Sequence, residues 1–288
     1  MQLREFQIRF SGICIGFQSE FPIKLSEDLL PFLVEGCEPD ELYEVRVMNR
    51  GILCTGMEIY RGKDLRVFRM GEDRLSYFPL MLEDGDLMPV CVIRANHHHD
   101  LWIPPEMAKR LTLRNRLTGL LCIEQLLLNR NTLLFHSSVV CHNNRVVLFS
   151  GPSGMGKSTQ AALWEQRYGA RVLNGDRCIL HVGKDGITGG GSPWCGSSGI
   201  FDPAYAKVEG LFLLRQGNKN VIERANPATA FREIYQQCVV HAFDREYVQK
   251  VCDLVTQLLQ QIPIMTLECL PHPSAAELCY QHIFEKQS

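Results

Sequence analysis

Arg145-Val-Val-Leu-Phe-Ser-Gly-Pro-Ser-Gly-Met-Gly-Lys-Ser-Thr159 is the stretch on which the reading of the chain turns. An apolar run with strand character enters Gly151, four residues follow, and Gly156, Lys157 and Ser158 complete the pattern G-x-x-x-x-G-K-[ST]. The chemistry explains the spacing. Small residues let successive backbone N–H groups turn inward around phosphate oxygens, and a helix beginning near Ser158 adds the positive end of its dipole. Lys157 supplies the cation for the β- and γ-phosphates, and the Ser158 hydroxyl is placed to ligate Mg²⁺. Gly151, Pro152, Ser153, Gly154, Met155, Gly156, Lys157, Ser158 and Thr159 are therefore the candidate nucleotide-binding residues, with ATP and Mg²⁺ as the expected ligands.

Upstream, Leu133-Leu-Phe-His-Ser-Ser-Val-Val140 and the run into Ser150 read as a hairpin turning at Asn143-Asn144. Downstream, Ala161, Trp164 and Tyr168 share one face of a helix that ends at Gly169. A strand around residues 171–173 follows and is expected beside the strand that feeds the glycine-rich loop. It leads to Val172-Leu-Asn-Gly-Asp-Arg177, where Asp176 is the candidate carboxylate for a hydroxyl proton or a metal. A bare Asp at a strand end also reads as a turn former.

A second hairpin is expected from residues 178–182 through Lys184-Asp-Gly186, then a Gly- and Ser-rich loop over 189–199 and a buried strand over 208–214. Asn226-Pro227 starts a helix that runs to about residue 240, Asp244 starts another, and a strand over 262–269 and a helix over 274–284 close the chain. The first third differs. Residues 6–17, 42–48, 52–60, 65–70 and 90–93 read as strands separated by turns such as Arg61-Gly-Lys-Asp64 and Glu83-Asp-Gly-Asp86, which predicts a mostly antiparallel β unit. Pro104-Pro105 stops the strands, and Leu113, Leu117, Leu120, Leu121 and the apolar residues of 123–128 recur at helical spacing over 106–130. The expected organisation is a β-rich domain over 1–103, a helical connector over 104–131 and an α/β nucleotide-binding domain over 132–288.

Composition narrows the partners. The 288 residues carry a formal charge of -2, from 30 basic and 32 acidic side chains, so no long-range field recruits nucleic acid or an anionic membrane. No apolar run approaches the roughly 20 residues of a membrane span, and the amino-terminal residues lack the pattern of a signal peptide, so a cytoplasmic location is expected. The 12 cysteines are scattered through apolar runs without a CxxC pair, which favours reduced core thiols. The one dense cluster of ligand-type residues, His97-His98-His99-Asp100, reads as a solvated loop rather than a metal site.

A hairpin bearing His136-Ser137, the loop Gly-Pro-Ser-Gly-Met-Gly-Lys-Ser-Thr159, a short helix and a strand ending at Asp176 together resemble the HPr kinase/phosphorylase family, whose nucleotide core is shared with phosphoenolpyruvate carboxykinases. The resemblance spans roughly residues 133–182. It implies a mixed-sheet α/β kinase core preceded by the β-rich domain, with His136 matching the family's histidine, Asp176 as the proton-accepting base and Asp176 with Ser158 as metal ligands. The family's first aspartate of an adjacent pair is Gly175 here. That departure bears on metal organisation and on any phosphorylase activity.

The implied activity is ATP-dependent transfer of the γ-phosphate to an acceptor hydroxyl, with catalytic roles for Asp176, His136 and Lys157. The acceptor is a serine of a protein or peptide ahead of a hydroxylated metabolite, and a nucleotide-binding regulator without catalysis is the third reading. Family members are often oligomers, so a homo-oligomer is the implied assembly. Arg177 is a further candidate for neutralising transferring charge. Residues 190–199 are the candidate acceptor loop, because Trp194 offers a stacking surface and Ser192, Ser197 and Ser198 offer hydroxyls. Taken alone, His136 reads first as a satisfied core histidine on a buried strand, and the resemblance reverses that order.

Overall fold

The computed structural model describes residues 1–53, 56–79, 88–109, 111–113, 116–196 and 198–285, with backbone alone for 113 and 116–118. The turn expected at Glu83-Asp-Gly-Asp86, Cys54 and Thr55 of the expected strand 52–60, Ser197, and the side chains of Leu113 and Leu117 lie outside the described residues. Among the described residues no helix is long and apolar enough to cross a membrane. The chain is mixed α/β with two mixed sheets, and its contacts divide it into two compact units, Met1–Leu126 with His241–Arg245, and Leu127–Val240 with Glu246–Ser288.

The first unit holds β1 (Gln2–Phe10), β2 (Ile13–Leu25), β3 (Leu33–Val34), β4 (Glu41–Val47), β5 (Met57–Arg61), β6 (Arg66–Met70), β7 (Asp73–Tyr77), β8 (Val90–Ile93) and β9 (His98–Ile103). After them come α1 (Pro105–Ala108), β10 (Thr112–Leu113), α2 (Arg116–Leu121) and the start of α3 (Ile123–Asn129). The strand order is β3-β1-β2-β4-β9-β8-β7-β6-β5, with β10 also on β2. Alternation builds its core, since Phe6, Ile8 and Phe10 of β1 and Glu41, Tyr43 and Val45 of β4 are the buried members of their strands.

Several expectations are corrected here. The run 6–17 is two strands, because Ser11 and Gly12 take positive φ (45° and 91°) and turn the chain. The sheet is mostly antiparallel as expected, but it is not wholly so, since β4 is parallel to both β2 and β9. The cause is the connection, which leaves β2 through a 3₁₀ turn (Glu27–Phe32) and β3 instead of folding straight back. The histidine cluster is solvated only at His97 and His98, which are exposed, whereas His99 and Asp100 are buried. Its last three residues open β9, where His99 (2 % exposed) donates from Nε2 to Glu41 at 2.7 Å and accepts the Arg94 N–H on Nδ1 at 3.1 Å. Asp100 is likewise neutralised, by Arg94 at 2.5 Å. The single connector helix is replaced by α1, β10, α2 and α3, with α2 and α3 separated at Cys122, whose φ is 49°. Cys14 and Cys37 are joined by a disulfide, against the expectation of reduced thiols throughout.

The second unit runs from β11 (Thr132–His142) and β12 (Arg145–Ser150) through α4 (Lys157–Tyr168), β13 (Arg171–Asn174), β14 (Arg177–Gly183) and β15 (Gly186–Gly190) to β16 (Tyr205–Gln216). It ends with β17 (Val221–Arg224), α5 (Pro227–Gln237), α6 (Arg245–Gln261), β18 (Ile264–Cys269) and α7 (Pro273–Tyr280). The hairpin β11–β12 turns at Asn143 and Asn144, both at positive φ (49° and 56°), the conformation a two-residue turn requires and asparagine tolerates. Long β16 pairs β15 antiparallel and both β12 and β18 parallel, so β12, β11, β14, β15 and β16 close into a ring. Two cores flank it, one around Leu148, Leu211 and Leu254, the other around Phe149, Trp164 and Phe212.

One neighbour differs from expectation. The strand leading to Asp176, β13, pairs with β11 and not with β12, and the parallel partner of β12 is β16.

Candidate active site

The closed ring fixes where the chemistry-bearing residues fall. Strand β12 ends at Ser150, whose hydroxyl donates to the His136 carbonyl at 2.9 Å, and the chain turns through residues 151–156 into α4. Gly154 and Gly156 take positive φ (81° and 95°), and a side chain at either would meet no atom within 4 Å. They are glycines for backbone conformation, which is what a loop turning its N–H groups inward demands. Pro152, Ser153 and Gly154 are exposed, Met155 is half-buried, and Ser158 and Thr159 are exposed on the first turn of α4. Lys157 is 8 % exposed and folds back over the loop, donating from Nζ to the carbonyls of Gly151 (2.9 Å) and Pro152 (3.2 Å). Burial lowers its pKa, and the negative charge of Asp176 opposes that shift.

His136 and Asp176 meet through the backbone ladder. His136 on β11 is registered with Arg177 on β14, and the Ser137 N–H donates to the Asp176 carbonyl at 3.0 Å. The side chains then converge, with His136 Nδ1 3.1 Å from Asp176 Oδ1 and Arg177 Nε 3.8 Å from Asp176 Oδ2. Both members of the His–Asp pair are about one-third exposed, so the site opens to solvent. Burial of the imidazole lowers the His136 pKa below its ordinary 6.5, and the Lys157 and Arg177 cations add to this while Asp176 opposes it. His136 is therefore neutral at neutral pH, a form in which a protonated Nδ1 donates to the carboxylate. His136, Lys157, Asp176 and Arg177 form one electrostatic group. Among the described residues Ser158 has no hydrogen bond to Asp176.

Asn174 escaped the sequence reading. It is fully buried, and its Oδ1 accepts the backbone N–H groups of Asp176 (2.7 Å) and Arg177 (2.8 Å), an Asx turn that fixes the carboxylate's backbone. Its Nδ2 donates to the Ser192 carbonyl at 2.8 Å. The signal was present, since an asparagine two residues before an aspartate at a strand end is an Asx-turn pattern.

The expected acceptor loop is corrected in the same place. Ser192 is fully buried and donates to the Arg177 carbonyl at 2.8 Å, and Trp194 is 6 % exposed, so neither offers a surface to a ligand. The following residues press on the carboxylate strand. A Cβ on Gly196 would lie 2.8 Å from Asp176 Cγ, and a Cβ on Gly175 would lie 2.7 Å from Ser198 Cβ. Ser198 thus stands where a side chain at position 175 would have to go.

Among the described residues no group of three or more His, Cys, Asp or Glu side chains is gathered as a metal site. The exposed Ser158 hydroxyl at a helix start and the solvent-reached Asp176 carboxylate are oxygen donors of the kind Mg²⁺ takes, with water and phosphate oxygens completing its shell.

No family model and no curated protein matches the chain. Among solved structures, the Hpr(Ser) kinase/phosphatase from Coxiella burnetii is similar over 54 % of this chain and 92 % of that one, at 12 % identity and a TM-score of 0.31. A likeness of that size transfers neither a residue role nor an activity.

Proposed function

We propose that the chain is an ATP-dependent phosphotransferase that moves the γ-phosphate to an acceptor hydroxyl, with a serine of a protein or peptide as the favoured acceptor. The observation that carries this reading is the His136–Asp176 pair, 3.1 Å apart, in one electrostatic group with the lysine of a complete phosphate-binding loop.

In this mechanism the N–H groups of residues 154–158 and the Lys157 ammonium hold the phosphates, with Lys157 exchanging its contacts to the Gly151 and Pro152 carbonyls for phosphate oxygens. Ser158 and Asp176 are the oxygen donors that would hold Mg²⁺, which would supply neutralisation of the phosphate charge when bound. The acceptor oxygen bonds to the γ-phosphorus as the bond to the β-phosphate oxygen breaks, ADP departs, and the acceptor proton passes to Asp176. Neutral His136 aims that carboxylate, and Arg177 lends positive charge on the side where the transferring group is negative. The one-third exposure of Asp176 suits an acceptor carried on a polypeptide, which reaches the base without entering an enclosed pocket.

The test is transfer from γ-labelled ATP and Mg²⁺ to a cell extract separated into macromolecules and small molecules, run with wild type, Lys157→Ala and Asp176→Asn. Label in the macromolecular fraction that needs both side chains is the expected result. Label in a new small species instead moves the acceptor to a metabolite. Undiminished transfer by Asp176→Asn removes the proposed base, and no transfer despite ATP binding leaves a nucleotide-binding regulator.

A further inference from the structure

The phosphate-binding loop has two sides, and the His136–Asp176 pair occupies only one of them. Strand β12 lies between β11 and β16 in the ring, and His136 is on β11 while Asp176 precedes β14, which pairs with β11. On the other side, β12 and β16 run parallel and in register up to Ser150 and Leu213, where β12 ends and β16 continues to Gln216. A crevice lies there between the loop that leaves β12 and the end of β16, beside Met155 and Leu213. A cavity of about 460 Å³ occupies this crevice, within the usual range for a small-molecule site.

Its walls are chemically mixed. Met155 and Leu213 give it an apolar face, while Arg232, Glu233, Gln236 and Gln237 reach it from α5. Glu233 is fixed by Arg215, whose Nη2 lies 2.5 Å from Oε1 and whose Nη1 donates to the Leu214 carbonyl at 2.8 Å. That pair links α5 to β16. A second link, Gln216 Nε2 to the Gly154 carbonyl at 3.0 Å, ties the end of β16 to the loop itself.

We propose that this cavity receives the nucleoside part of the nucleotide whose phosphates lie on residues 151–158, with the carboxamides of Gln236 and Gln237 hydrogen-bonding the base. The inference rests on the nucleotide reading above and extends it to a subsite. A polyphosphate chain crossing the loop with its transferring end toward Asp176 places its other end toward β16, where the cavity lies. A carboxamide carries both a donor and an acceptor, and so matches a base edge that presents the two side by side. Met155 and Leu213 give the base face the apolar contact it needs.

The experiment is calorimetric titration of the full chain with Mg²⁺-ATP and, separately, with Mg²⁺-tripolyphosphate, in wild type and in the double variant Gln236→Ala/Gln237→Ala. Alanine is the best helix former and both positions close α5, so the fold is preserved, and unchanged tripolyphosphate binding verifies it. The double variant is expected to bind tripolyphosphate as wild type does and ATP roughly tenfold or more weakly. Unchanged ATP affinity, or an equal loss for both ligands, overturns the subsite. A wild-type chain that binds tripolyphosphate and ATP equally well also overturns it but leaves phosphate binding standing, whereas failure to bind either ligand strikes the nucleotide reading itself.

Discussion

At the scale of single residues, His136 reports directly on the site's electrostatics. Its pKa lies below the ordinary 6.5 through burial and the nearby cations, so the stability it contributes is present above 6.5 and is lost as pH falls through the lowered folded value. NMR titration of the imidazole is expected to give a midpoint below 6.5, rising in Lys157→Ala, which removes a cation, and falling further in Asp176→Asn, which removes the opposing charge. Shifts of the opposite sign contradict the grouping. Position 175 gives a second check. Gly175→Asp forces a Cβ to within 2.7 Å of Ser198 Cβ and is expected to cost about 1–3 kcal/mol, read as a lower Tm and partly recovered by Ser198→Gly. Lys157, His136 and Asp176 were legible because a motif and a strand end mark them. The burial of Ser192 and Trp194 was not, since a Gly- and Ser-rich composition describes a packed loop and a mobile one equally well.

At the scale of elements, what local chemistry dictates was readable. The Asn143-Asn144 turn and the Asn226 cap of α5, which accepts the N–H groups of Ala228 (3.1 Å) and Thr229 (3.2 Å), follow from side chains acting within four residues. Asn226→Ala is expected to cost about 1 kcal/mol in chemical denaturation, with the midpoint shifted and the slope unchanged. Which strand lies beside which was harder. Both β13 and β16 read as strands, but nothing in either sequence says that β16 takes the place beside β12 while β13 falls on β11. Pairing at that separation is set by how the whole sheet closes rather than by any local pattern. Strand β9 was hidden for another reason, because two of its polar residues are buried in hydrogen bonds and ion pairs and so break the hydrophobic alternation that reveals strands.

At the scale of the whole molecule, units and sequence order do not coincide. His241–Arg245 belongs with residues 1–126, where Asp244 (5 % exposed) meets Arg69 at 3.0 Å and Arg74 at 3.2 Å, and Phe243 stacks on Tyr60 with ring centres 4.1 Å apart. A five-residue excursion carries no periodicity, so a division into consecutive segments was the natural reading. Asp244→Ala removes the carboxylate that the buried Arg74 guanidinium shares with Arg69, leaving Arg74 its contacts to Gln125 and His241, and is expected to destabilise the chain by about 3 kcal/mol. Arg74→Met combined with Asp244→Leu is expected to recover much of that loss, because it removes both charges, and a purely additive double variant contradicts the pairing. The account as a whole depends on residues 151–159 holding a nucleotide. The most direct measurement is calorimetric titration of Mg²⁺-ATP into the wild-type chain and into Lys157→Ala: saturable binding by wild type that falls at least about tenfold in the variant is predicted, whereas equal affinity in the two, or no binding by wild type, contradicts it.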